Sequence, residues 1–190
     1  GDSSFSDPVI AYFADRPFRF YSSFRVRSSA EAEASNRARL ERSSGTQSVS
    51  HTYAEHFAEV PHGETFELEL PMSSPRPSGR FEGPVFVLAN RESDSNAVSV
   101  AALVQDYGCA TVIGEATTDL ATTYGAMEHF TLPSTGLRVG FPKALIVRPN
   151  GDERPAGVVP DVVVPNGDRA GGPQLERTRT LAIGAAVSGS

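Results

Sequence analysis

The chain has 190 residues, enough for one domain with a real core, of which 39% are hydrophobic and 21% charged. A formal net charge of −6 without any basic run excludes a partner bound through its phosphates, so no nucleic acid is expected. No stretch reaches the about 18 apolar residues that cross a bilayer. A single cysteine, Cys109, excludes an intrachain disulfide and a cysteine zinc site.

Seventeen glycines and fourteen prolines favour an α/β or β-rich fold over a helical bundle. In DPVIAYFADRPFRFY (7–21), Asp7 as N-cap and Pro8 at the first helical position predict a helix that Pro17 ends, and FRFYSSFRVR alternates as a strand. Residues 28–59 are polar and rich in Ala, Glu and Arg, the composition of a solvated helix or a flexible excursion. With the proline-rich loop 71–84, they suggest a surface insertion over 28–80. VFVLAN (85–90) reads as a buried parallel strand, RESDS as a polar turn, NAVSVAALVQDYG as a helix closed by Gly108, and CATVIG (109–114) as a second strand holding Cys109. This is a βαβ pattern, which predicts a sheet at least partly parallel. AMEHFTLP and LRVGFPKALIVRP predict a hairpin, with His129 packing beside Met127 and Lys143 exposed. VVPDVVVP closes the sheet, and a last helix spans 173–187.

The turn RESDSN carries the candidate chemistry. A serine there stands at the C-terminal edge of the sheet, and the amides after it begin a helix and face any developing oxyanion. Ser93, Ser95 and Ser99 are the candidates for a nucleophile, and capping of the helix is the structural alternative for each, as it is for Asp94. His51 and His56 read as surface residues, and His62 lies in a Pro-His-Gly turn. No His-x-x-x-His or clustered-carboxylate pattern accompanies them, so neither a metal nor another cofactor is expected. Asp161 reads as a residue that bonds a turn.

GPVFVLANRESDSNAVSVAALVQDYGCATVIGE resembles peptidase family S41, the C-terminal-processing or tail-specific peptidases: an apolar strand, a turn ending in Ser-Ala-Ala-Glu or a variant, a helix into Leu-x-Asp-Tyr-Gly, and a strand ending Gly-Glu. FTLPSTGLRVGF resembles the family's strand pair, GVVPDVVVP its Gly-Val-x-Pro-Asp-x-x-Val signature, and PQLERTRTLAI its following helix. GDSSFSDPVIAYFADRPFR resembles the segment after the family's Asp-Leu-Arg-x-Asn-x-Gly-Gly turn, so the chain reads as the C-terminal part of the catalytic domain. The resemblance covers most of 1–22 and 81–183 and implies a ClpP/crotonase-like α/β spiral, a twisted mixed sheet flanked by helices. It implies a serine endopeptidase acting on a peptide or protein substrate, periplasmic or secreted, and compatible with a homo-oligomer.

The resemblance places the nucleophile at Ser95 and one oxyanion donor at the Asn96 amide, the other donor coming from the glycine turn of which Gly1 is the remnant. The tail-specific branch uses a lysine in a Gly-Lys-Gly turn as base. That position falls at about Leu120, inside GEATTDLATTYG, where there is no lysine. The tricorn-like branch instead uses a histidine from the portion preceding residue 1 and a supporting glutamate, for which Glu153 is the nearest match; the structural alternative is a loop carboxylate. The rival reading is a non-catalytic ligand- or peptide-binding module of the kind the retinoid-binding proteins of the eye represent. Acyl-CoA chemistry of the crotonase type, which shares the fold, would not need Ser95.

Overall fold

The computed structural model describes residues 6–42, 49–165 and 172–188. They form an α/β structure in two compact units. One comprises residues 1–22, 71–122 and 147–190, the other 23–70 and 123–146.

The first unit holds the short helix α1 (Asp7–Ile10), strand β3 (Phe86–Ala89), helix α4 (Asn96–Tyr107), strands β4 (Thr111–Gly114) and β7 (Val162–Val163), and helix α5 (Gly172–Ser188). Its sheet runs β3-β4-β7 and is parallel throughout, with Phe86 opposite Thr111 and Ile113 opposite Val162. The predicted βαβ crossover is therefore present. Helix α4 buries Val98, Ala101, Ala102, Leu103 and Val104 against Ile10, Phe18, Phe20, Val112 and Val158. Gly108 ends it in the left-handed conformation at φ 69°, and the amides of Gly108 and Cys109 return to the carbonyls of Gln105 and Val104. Cys109 thus lies in this turn and not in the following strand; it is half-buried, which pushes its thiol up.

The motif residues of this unit have structural work. The carboxylate of Asp106 takes the Arg148 guanidinium (3.0 and 2.6 Å) and the Asn150 amide and side chain, fastening the end of α4 to the 148–150 turn. Asp161 accepts from the Val112 amide at 2.7 Å and from Gln105 at 2.9 Å, so it joins β7 to both α4 and β4, a wider role than a turn bond. Asp7 is the first helical residue and not the N-cap; its carboxylate accepts from Ser73.

The second unit contains strand β1 (Ser23–Arg27), helices α2 (Ala30–Arg42) and α3 (Val49–Glu59), strand β2 (Thr65–Glu67) and the hairpin β5 (Thr123–Thr131) and β6 (Arg138–Val147). The strands form a second sheet in the order β2-β1-β6-β5. β1 with β2 and β5 with β6 pair antiparallel, so the expected mixture of parallel and antiparallel strands is present, distributed over two sheets. In the polar segment 28–59, residues 30–42 and 49–59 are helical. Ser29 Oγ accepts the Ala32 amide at the start of α2, glutamates occupy its first turn and arginines its last, which favours the helix dipole. Its thin apolar face suffices because α3 supplies Tyr53 and Phe57, packed with Phe66 of β2, and Asn36 donates to the Ser50 carbonyl at 2.8 Å.

The hairpin departs from the expected side-chain sorting. Met127 and His129 are exposed and Glu128 between them is buried; Lys143 is buried too. Glu128 accepts from Ser35, from both Arg39 terminal nitrogens (2.6 Å each) and from Lys143 Nζ at 2.6 Å. Lys143 Nζ also stands 3.9 Å from the centroid of the Tyr53 ring. Burial raises the Glu128 carboxyl, but the three donors overcome it and hold the group down at about 2. Burial pushes the Lys143 ammonium down and pushes the Tyr53 phenol up to about 12. The alternation of β5 was legible, but which side faces α2 was not.

Candidate active site

β3 delivers the chain to a tight turn at the C-terminal edge of the parallel sheet. The Asn90 side chain accepts the Glu92 amide at 3.0 Å, and Ser93 Oγ accepts the Asn90 amide at 3.1 Å, so Ser93 is committed to shaping the turn. Ser99 sits one turn into α4, its hydroxyl 3.2 Å from the Tyr21 hydroxyl and 3.4 Å from the Ser95 carbonyl. Asp94 contributes its carbonyl to the Ala97 amide.

Ser95 differs from both other serines. It occupies the N-cap position of α4, is exposed, and its side chain makes no capping bond. Its backbone adopts φ 50° and ψ −119°, a region an L-residue enters at a cost of roughly 1–3 kcal/mol. The amides of Val98 and Ser99 bond the Ser95 carbonyl, whereas that of Asn96 has no hydrogen-bond partner among the described residues. An exposed hydroxyl next to an unpaired amide at the positive end of a helix suits a group that turns anionic as it reacts.

The loop after β4 fixes this conformation. The Ser95 amide donates to Asp119 Oδ2 at 2.6 Å, and Asp119 Oδ1 accepts the Leu120 amide at 2.8 Å. Thr118 donates to the Arg91 carbonyl at 2.6 Å, and Arg91 pairs with Glu115 at 3.2 Å. The loop is itself anchored through buried Thr117, which exchanges two hydrogen bonds with the Val158 backbone. Asp119 is the residue that sequence reasoning missed. Its only local signal was its place next to Leu120, where a basic residue was sought.

Of the other expected residues, Gly1 lies outside the described residues. Glu153 is exposed on the loop between β6 and β7, beside Asp152, whose carboxyl the Arg154 guanidinium holds at about 2. No lysine or histidine hydrogen-bonds the Ser95 hydroxyl among the described residues. Lys143 is engaged by Glu128, His62 pairs with Glu33 at 3.0 Å, and the His56 ring stacks on Phe66. Among the described residues no group of three or more His, Cys, Asp or Glu side chains is placed to hold a metal. None of their helices is long and apolar enough to cross a membrane.

The family model described as Peptidase family S41 matches residues 9–164. Comparison with curated sequences finds no match. Among solved structures, mature CPAF aligns at a TM-score of 0.61 and 16% identity over 87% of this chain and 37% of that one. Mature CPAF complexed with lactacystin aligns at 0.62 and 16% identity over 97% of this chain and 40% of that one. At such identities the likeness shows the fold, and this chain spans less than half the length of the structures it resembles.

Proposed function

The chain belongs to peptidase family S41, and from that premise we propose that it hydrolyses peptide bonds by acyl transfer through Ser95. The observation that supports this most is the Ser95 backbone itself. A serine exposed at φ 50°, uncapped, with an unpaired amide following it, is an expensive way to start a helix and a sound way to present a nucleophile.

In this reading a general base takes the Ser95 hydroxyl proton as Oγ bonds to the scissile carbonyl carbon. The carbonyl oxygen becomes an oxyanion held by the Asn96 N–H and a second backbone donor, the role expected of Gly1. The C–N bond then breaks, the base returns the proton to the leaving amine, and water releases the acyl group from Ser95 by the reverse sequence. With Asp119 and Leu120 where a lysine dyad would need its base, the tricorn-like arrangement fits better. A histidine from another part of the protein would serve as base, with Glu153 in support. Each oxyanion donor is worth about 10²–10³ in rate.

A second reading, a non-catalytic binding module, is favoured by the lysine-free loop at Leu120. Labelling of the full-length protein with a fluorophosphonate probe separates the two. Labelling of the wild type that disappears in Ser95→Ala supports the peptidase. A folded wild type that does not label supports the binding module, and labelling that survives the substitution removes Ser95 from the role.

A further inference from the structure

We propose that the groove between α2 and the open edge of β5 binds an extended, acidic peptide segment. The groove has a volume of about 710 Å³ and lies wholly in the unit that does not contain Ser95. One wall is α2, where Ala30, Ala34 and Ala38 recur every four residues and so share a helix face whose short side chains leave the space open. The other wall is formed by residues 127–131 without a gap. Successive side chains of a strand point to opposite faces of its sheet, so five consecutive lining residues mean that the groove runs beside the strand and not over one face. β5 is the last strand of its sheet among the described residues, and its outer backbone groups have no ladder partner there. A free strand edge flanked by a helix is the geometry of strand addition, in which main-chain bonds hold the guest and alternate side chains select it. Five residues of edge match about 17 Å of extended peptide.

The charge of the groove selects the guest. Three guanidinium groups, Arg39, Arg42 and Arg138, line the groove together with two carboxylates, Glu31 and Glu128. Glu128 is already taken by Arg39 and Lys143, whereas Arg42 and Arg138 carry no ion pair among the described residues. A cationic channel on a chain of net charge −6 suits carboxylate side chains at alternate positions of the guest. Met127, 54% exposed, offers it an apolar contact.

The test uses the full-length protein carrying Ser95→Ala, so that binding is read without cleavage and stands apart from the peptidase reading. The probes are fluorescein-labelled nine-residue peptides alternating Val with Glu, or Val with Lys, followed by fluorescence anisotropy. The Glu peptide is expected to bind and the Lys peptide not. The exposed double substitution Arg42→Glu/Arg138→Glu should weaken the Glu peptide about tenfold or more. Ala38→Trp, which fills the groove, should do the same, with circular dichroism confirming the fold of both variants. N-methylation of the peptide at alternate residues should abolish binding in one of its two phases. Absence of Glu-peptide binding, equal binding of both peptides, or binding indifferent to the double substitution would overturn the proposal.

Discussion

The Ser95 amide donates to the Asp119 carboxylate at 2.6 Å, a bond that ties the residue with the least favourable backbone conformation at the site to a loop 24 positions downstream. Asp119 touches no reacting atom in the proposed chemistry, so its part is to position Ser95. Asp119→Ala should slow fluorophosphonate labelling roughly 10- to 100-fold, since displacements near 1 Å at a nucleophile cost that much. Asp119→Asn keeps an acceptor oxygen and should recover part of the rate. A fall in labelling that merely tracked a fall in Tm would instead assign Asp119 a general structural role.

Glu128 serves two cations, Arg39 and Lys143, with both Glu128 and Lys143 buried. Glu128→Gln leaves them facing each other without their carboxylate and should destabilise the protein by about 3–5 kcal/mol. Lys143→Met removes one desolvated charge while Arg39 keeps Glu128 paired, and should cost much less. Chemical denaturation of the two variants gives the comparison. Equal losses would mean that the cluster is not organised around Glu128.

The same carboxyl sets an acid response. Its folded value, about 2, lies below the roughly 4.3 of an unfolded glutamate, so its contribution is complete above that unfolded value. It is lost as pH falls towards 2, and amounts to on the order of 3 kcal/mol. Unfolding free energies measured from pH 6 to 2 should therefore fall faster below pH 4.5 in the wild type than in Glu128→Gln.

Gly114 ends β4 at φ +136°, opposite Ala89, and a Cβ there would stand 1.9 Å from the Ala89 carbonyl oxygen. Ala89 is the residue from which the chain enters the Ser95 turn. Gly114→Ala should lower stability by about 3 kcal/mol or more and suppress labelling by the serine probe, because the backbone beneath the turn must move. Gly136→Ala, at a left-handed glycine with open space around it, provides the control and should cost only about 1 kcal/mol.

What the sequence disclosed, it disclosed through local pattern. The stretch from Phe86 to Gly114 carries a strand, a polar turn, a helix with its terminal glycine and a second strand, each with its own periodicity, and the structure agrees element by element. Ser95 could be singled out among three serines only through the family resemblance, while the reasons Ser93 and Ser99 stand apart, their bonds to Asn90 and Tyr21, become visible in three dimensions. Glu128, Lys143 and Arg39 had no local signal at all. Their pairing joins residues 15 and 89 positions apart, and the same alternation fits equally well with Met127 and His129 turned inward. Asp119 was hidden for a similar reason, since its partner is a backbone amide, to which any side chain with an acceptor oxygen looks alike.

The chain leaves the Ser95 unit after Ser22, returns at Pro71, leaves again after Thr122 and returns at Val147. Neither unit is therefore a contiguous stretch, and β1 must find β6 across most of the sequence. Loops of that length are closed before their contacts repay the lost chain entropy, which makes folding slow. During synthesis, a nascent chain that has reached Asp119 already contains the whole serine turn. It lacks Val158, whose backbone anchors Thr117 and through it the loop that holds Ser95. The anchor of the loop that holds Ser95 therefore becomes available only once residue 158 has been synthesised.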